Sequence, residues 1–204
     1  MARKTKEEAQ ETRKKILRAA LDVFSKKGYS KSTFVDIADQ IGLTKGAVYW
    51  HFKSKEELLI ELIYIMLSKE EEQIKEKINE EINIHNLKDY FMTRAQFVLE
   101  NEECRKFIFF ITLQMEWTVE HLSFTHKKIK ELRTGFFEET HRVLVEAQEQ
   151  KLLKKNIDIQ QVEDCLISLY MGLVKNDLSG FSSTGLIKNI EFSFDAIIET
   201  VLAN

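Results

Sequence analysis

Lys45, Gly46, Tyr49 and Trp50 lie within six positions of one another and, wound as a helix, all fall away from Val48 and Phe52, which are four apart and share the opposite face. A cation, a glycine that permits close approach and two aromatics make an unusual surface for a solvated helix. They suit docking into the groove of a polyanion.

Such a face works only if its helix is placed, and the punctuation around it says how. Thr33 precedes the apolar-periodic run Phe34, Ile37, Ala38 and Ile41, with Asp36 three residues on as a capping partner, so a helix of about two turns begins there. Gly42 supplies the backbone freedom of a tight turn, Leu43 packs inward, and Thr44 caps a second helix from Lys45 to about His51. Ser54 and Glu57 then form a capping box ahead of Leu58, Leu59, Leu62, Ile63 and Met66. Two short helices joined by a glycine turn and followed by a third have the layout of a helix-turn-helix DNA reader. Lys55, at the N-terminus of the third helix, is expected to contact a phosphate, because free backbone N–H groups and a lysine together attract anions.

Charge runs the same way. Residues 1–55 hold 13 Lys and Arg against 6 Asp and Glu, a net of +7, while residues 56–204 hold 17 against 27, a net of −10. A basic head on an acidic body is the footprint of nucleic-acid binding, even with an overall formal charge of only −3.

The segment Gly28 to Leu59 resembles the N-terminal domain of the TetR family of bacterial transcriptional regulators. The likeness rests on Thr33, Ile37-Ala38, Gly42, Thr44-Lys45-Gly46, Tyr49-Trp50-His51-Phe52 and Lys55-Glu56-Glu57-Leu58. Met1 to Lys6 and the pair Tyr49-Trp50 are further similar to the AcrR/TtgR-like branch, which represses multidrug efflux pumps. The resemblance implies that Thr33, Tyr49, His51 and Lys55 hold phosphates while Thr44, Lys45, Gly46 and Trp50 approach base edges in the major groove. It also implies a homodimer formed by the last two helices, whose two-fold symmetry matches a palindromic operator in double-stranded DNA.

The rest of the 204 residues supports an all-α fold of about nine helices: a three-helix helix-turn-helix domain over 1–54, then a helical effector-binding and dimerisation domain over 55–204. There is no proline, only seven glycines, and no strand-like alternation of useful length. Helices are expected from Lys55 to about Asn79, from Leu87, through Phe107 to Trp117, from about Phe124 to Lys151, after a cap at Asp158, and after the Ser/Gly-rich break Ser179 to Gly185. No apolar stretch reaches the length of a membrane span and no signal-peptide core follows the basic N-terminus, so a cytoplasmic protein without membrane contact is expected. Cys104 and Cys165 both lie in helical apolar patterns and read as buried, reduced thiols.

Aromatics crowd the middle of the chain. Phe109-Phe110 and Phe136-Phe137 are consecutive and cannot all face one helix interior, which points to an aromatic-lined site for a hydrophobic small-molecule effector. The candidate lining is Phe91, Phe107, Phe110, Trp117, Phe136, Phe137 and Tyr170, with Gln114, Glu116 and Asn176 as polar groups. No cofactor is expected. Of the Glu-x-x-His pairs that di-iron bundles need, only Glu138/His141 occurs, the five histidines show no i, i+4 spacing, and no phosphate loop or nucleophile elbow is present, so no catalytic or metal residue is assigned. The alternatives are a DNA-packaging protein that ignores effectors or, further off, a helical-bundle metal enzyme.

Overall fold

The computed structural model describes residues 6–78, 80–116, 118 and 135–203. Among them are nine α-helices: α1 (Lys6–Lys27), α2 (Phe34–Gln40), α3 (Lys45–His51), α4 (Lys55–Lys77), α5 (Leu87–Glu100), α6 (Glu102–Phe109), α7 (Gly135–Glu149), α8 (Ile159–Leu178) and α9 (Leu186–Val201). A π-helical turn, Phe110–Gln114, follows α6 directly. The described residues contain no strand, only an isolated antiparallel bridge between Leu153 and Leu202. The all-α expectation therefore holds. None of these helices is long and apolar enough to cross a membrane.

The chain forms two compact units, residues 1–66 with 106–132 and residues 67–105 with 133–204. In the first, α1 buries Ile16, Leu17, Ala20, Leu21 and Phe24 along one face and packs on α2. Phe24 meets Tyr29 edge-on at 5.2 Å and stacks on Phe110 at 5.7 Å, which holds the π turn against α1. In the second, Phe91 is a hub, with ring centroids 4.6 Å from Phe194, 5.3 Å from Phe136 and 5.3 Å from Tyr170. Each such ring removed from water contributes roughly 1.5–3 kcal/mol.

Most expected element starts are realised by the expected residues. The Asp158 carboxylate accepts from the backbone of Gln160 at 3.0 Å and Gln161 at 3.3 Å. Three expectations are corrected. The helix through Phe107 changes from α to π at Phe110, so its last turn is wider than apolar spacing suggested. The Ser54/Glu57 box is only half formed: the Ser54 hydroxyl accepts from the Glu57 N–H, but the Glu57 carboxylate takes the Lys53 N–H at 2.8 Å. Cys104 is buried, its thiol pushed up to about 12 by that burial, whereas Cys165 is exposed, because α8 turns its apolar side on Val162, Leu166 and Tyr170. Of the helix expected over 124–151, the part before Gly135 lies outside the described residues, as does Trp117.

Candidate nucleic-acid interface

The first unit builds the expected motif from local signals. Thr33 Oγ1 accepts from the Asp36 N–H at 3.2 Å while the Asp36 carboxylate accepts from the Thr33 N–H at 2.8 Å, closing the capping box of α2. That carboxylate is also paired with Lys27, and these hydrogen bonds, Lys27's first and then Thr33's, hold its pKa at about 2. Gly42 turns the chain at φ +66°, a conformation glycine adopts without steric cost, and the Leu43 N–H returns to the Ala38 carbonyl at 2.9 Å. Thr44 Oγ1 then accepts from the Ala47 N–H at 3.2 Å and starts α3.

Helix α3 has seven residues and buries only Val48. Thr44, Lys45, Gly46, Tyr49 and Trp50 are exposed, Trp50 to 72%. Tyr49 is steadied from below, its ring edge-on to Phe34 at 4.8 Å, and Lys45 Nζ lies 5.4 Å from the Tyr49 centroid. Trp50 meets the His51 ring edge-on at 4.5 Å. Gly46 has no internal reason to be glycine: a Cβ there would meet only Thr44 Oγ1, at 3.9 Å. Glycine inside a helix costs about 0.5–1 kcal/mol relative to alanine, and no close contact among the described residues requires it here.

Lys55 is used differently from the expected open phosphate site. Its ammonium donates to the carbonyls of Tyr29 at 2.7 Å, Ser32 at 2.9 Å and Ser30 at 3.3 Å, and it sits 4.6 Å from the Tyr29 ring centroid. Burial lowers its pKa. The three donors thereby tie the start of α4 to the loop ahead of α2.

The candidate effector residues fall into two groups. In the first unit Phe107 and Phe110 are core, Gln114 Nε2 donates to the Ser25 carbonyl at 3.2 Å, and the Glu116 carboxylate accepts from the Ser30 hydroxyl. In the second, Phe91, Phe136, Phe137 and Tyr170 form one ring cluster, while Asn176 is exposed on α8. Sequence reasoning passed over what stands beside that cluster. Arg94, with a side chain only 4% exposed, pairs with Glu70 at 2.9 Å and Glu71 at 3.0 Å and lies 4.6 Å from the Phe136 centroid. Burial opposes the guanidinium's charge, and the carboxylates, Glu70 foremost, more than offset it, so its pKa is raised. Arg94 Nε and the Tyr170 hydroxyl are buried without a hydrogen-bond partner among the described residues. A recess of about 170 Å³ in this unit is lined by Ile74, Ile78, Ile82 and Tyr90 with Glu71, Glu139 and Arg142, and none of the candidate effector residues lines it. His141 is hydrogen-bonded to Glu163 at 2.8 Å.

The comparisons with known proteins agree with this geometry. A family model described as bacterial regulatory proteins, tetR family, matches residues 16–62. A probable acrEF/envCD operon repressor of Escherichia coli K12 is 28% identical over 206 residues, covering 99% of this chain and 90% of the relative. The HTH-type transcriptional regulator AcrR of Shigella flexneri is 55% identical over 62 residues, 30% of this chain and 29% of its own. Among solved structures, NalD, described as the secondary repressor of the MexAB-OprM multidrug efflux pump in Pseudomonas aeruginosa, is 25% identical with a TM-score of 0.79, over 98% of this chain and 100% of that one. These names are those of regulators, in agreement with the expectation that the chain is no enzyme. Residues 16–62 thus match the tetR family of bacterial regulatory proteins, and the chain shares the fold of the repressor NalD along almost its whole length.

Proposed function

We propose that the chain is a cytoplasmic repressor of a multidrug efflux or similar transport operon, bound to a palindromic operator as a homodimer and released by a hydrophobic small molecule. The observation that carries the reading is α3: a helix capped and oriented by its neighbours that presents Lys45, Gly46, Tyr49 and Trp50 outward and keeps only Val48 for itself. Thr44, Lys45, Gly46 and Trp50 are assigned to base edges, and Thr33, Tyr49 and His51 to phosphates. Lys55 adds its charge to this face while it holds the 29–32 loop. The description of the P. aeruginosa relative as a repressor of a multidrug efflux pump supports an efflux operon as the target.

The DNA-binding domain is assigned to residues 1–54 and the effector and dimer domain to 55–204. Helices α8 and α9 are assigned to the subunit interface, where Met171 and Phe192 stand exposed on the single chain. The effector is assigned to the second unit, at the cluster of Phe91, Phe136, Phe137 and Tyr170. A loss of DNA affinity of about 1–3 kcal/mol on effector binding is enough for release.

The test is a footprint on the DNA upstream of the protein's own gene, with and without a panel of hydrophobic compounds. A protected palindrome with half-sites about 34–36 Å apart is expected, weakened by one compound class. Its binding constant should fall about a thousandfold or more between roughly 50 and 200 mM salt. Binding indifferent to sequence and compound alike would leave a DNA-packaging protein instead.

A further inference from the structure

Helix α3 cannot hold its own orientation. Seven residues with a single buried side chain are too few to be stable by propensity or packing, so something outside the helix must fix its far end. At that end Phe52 is buried, and Arg13 on α1 reaches the same turn. Its Nη1 donates to the carbonyl of His51, the last residue of α3. Its Nε donates to Glu61 Oε1 at 2.6 Å and its Nη2 to Glu61 Oε2, so the α4 carboxylate is held two-handed. The guanidinium lies 4.0 Å from the centroid of the Phe52 ring, the residue that ends α3, and Glu57 stands 3.9 Å away. The hydrogen bond to Glu61 raises the guanidinium's pKa, so the group stays charged.

We infer that Arg13 is the positioning residue of the DNA-reading helix: through one guanidinium, Glu61 on α4 sets the direction of α3. The arrangement uses the geometry only arginine has. A planar fork satisfies a carboxylate with two parallel donors and still has a third for another acceptor, here the His51 carbonyl at the end of α3. Arg13 also adds a positive charge at the C-terminal end of α3, where the helix dipole favours it. The inference rests on α3 being the DNA-reading element, but its first readout needs no DNA.

The experiment is amide hydrogen exchange over residues 45–52 in the full-length, DNA-free protein, for Arg13→Gln, Arg13→Lys, Glu61→Gln and the double variant Arg13→Gln/Glu61→Gln. Affinity is measured in parallel for the footprinted operator and for unrelated DNA of equal length at one salt concentration. Arg13→Gln and Glu61→Gln should each speed exchange in 45–52 by about tenfold and weaken operator binding by a similar factor, leaving α1 protection near Ile16 to Phe24 and unrelated-DNA binding unchanged. The double variant should be no worse than either single one, because both break the same link. Arg13→Lys should not rescue, since a single ammonium nitrogen cannot reach two acceptors that the guanidinium meets from separate edges, Glu61 through Nε and Nη2 and the His51 carbonyl through Nη1. Normal exchange over 45–52 in Arg13→Gln overturns the inference, and if operator affinity falls all the same, Arg13 is itself a phosphate contact. Faster exchange in a protein whose wild type binds no operator would leave the positioning role standing and sink the DNA-reading one.

Discussion

Arg94 is charged, buried and surrounded by rings, and its neighbours decide what its loss costs. Arg94→Ala would leave Glu70, its side chain 7% exposed, buried opposite no cation, and should destabilise the second unit by about 3–5 kcal/mol. Arg94→Met combined with Glu70→Leu should recover most of that, because the pair goes together. Urea unfolding of the three proteins checks both statements, and a loss under about 1 kcal/mol for Arg94→Ala would refute the first. Residues of this kind were hardly legible in the sequence. The spacing of Tyr90, Phe91, Arg94, Phe97 and Val98 places Arg94 on an apolar helix face, but its partner Glu70 lies on another helix, and only tertiary packing brings the two together. Arg13 was invisible for the same reason, since Glu61 is 48 positions away. Cys165 was misread because its apolar neighbours in sequence face inward and it does not.

Elements were more legible than residues wherever their ends are set locally. Thr33, Gly42, Thr44 and Asp158 each act within four positions of themselves, and each does in the structure what its type and spacing indicated. The wider turn after α6 was not legible, because α and π spacing differ too little over one turn for apolar periodicity to separate them. The cap of α2 carries its own pH dependence. The Asp36 pKa is about 2 in the fold against an ordinary 3.8, so the unfolded chain binds the proton more readily. The stabilisation is therefore complete above pH 3.8 and is lost as the pH falls toward about 2. Amide protection in α2 should decline across that window, and Asp36→Asn should abolish the step. A wild-type profile in Asp36→Asn would show that the pH dependence belongs to another group.

For the molecule as a whole, the charge divide between residues 1–55 and the remainder could be read without any structure, and it agrees with a basic DNA-reading end. The two compact units could not be read so simply, because the first takes in residues 106–132 from far along the chain. The proposed dimer makes a prediction at this scale. Phe192 is 81% exposed on α9, so Phe192→Asp should leave the isolated fold intact and shift sedimentation from dimer to monomer, with loss of operator binding. A dimer of unchanged affinity would move the interface elsewhere. The π turn at Phe110–Gln114 bears on how such a protein can vary by inheritance. Such a turn holds one residue more than an α-helix needs, so it amounts to one codon's worth of extra chain. Loss of that codon would rewind the segment into continuous α-helix, one turn closed by one residue fewer, and so leave the direction of the turn nearly as it was. Gln114 would keep its place facing Ser25, so a descendant with this deletion would be shorter by one residue and unchanged in this contact.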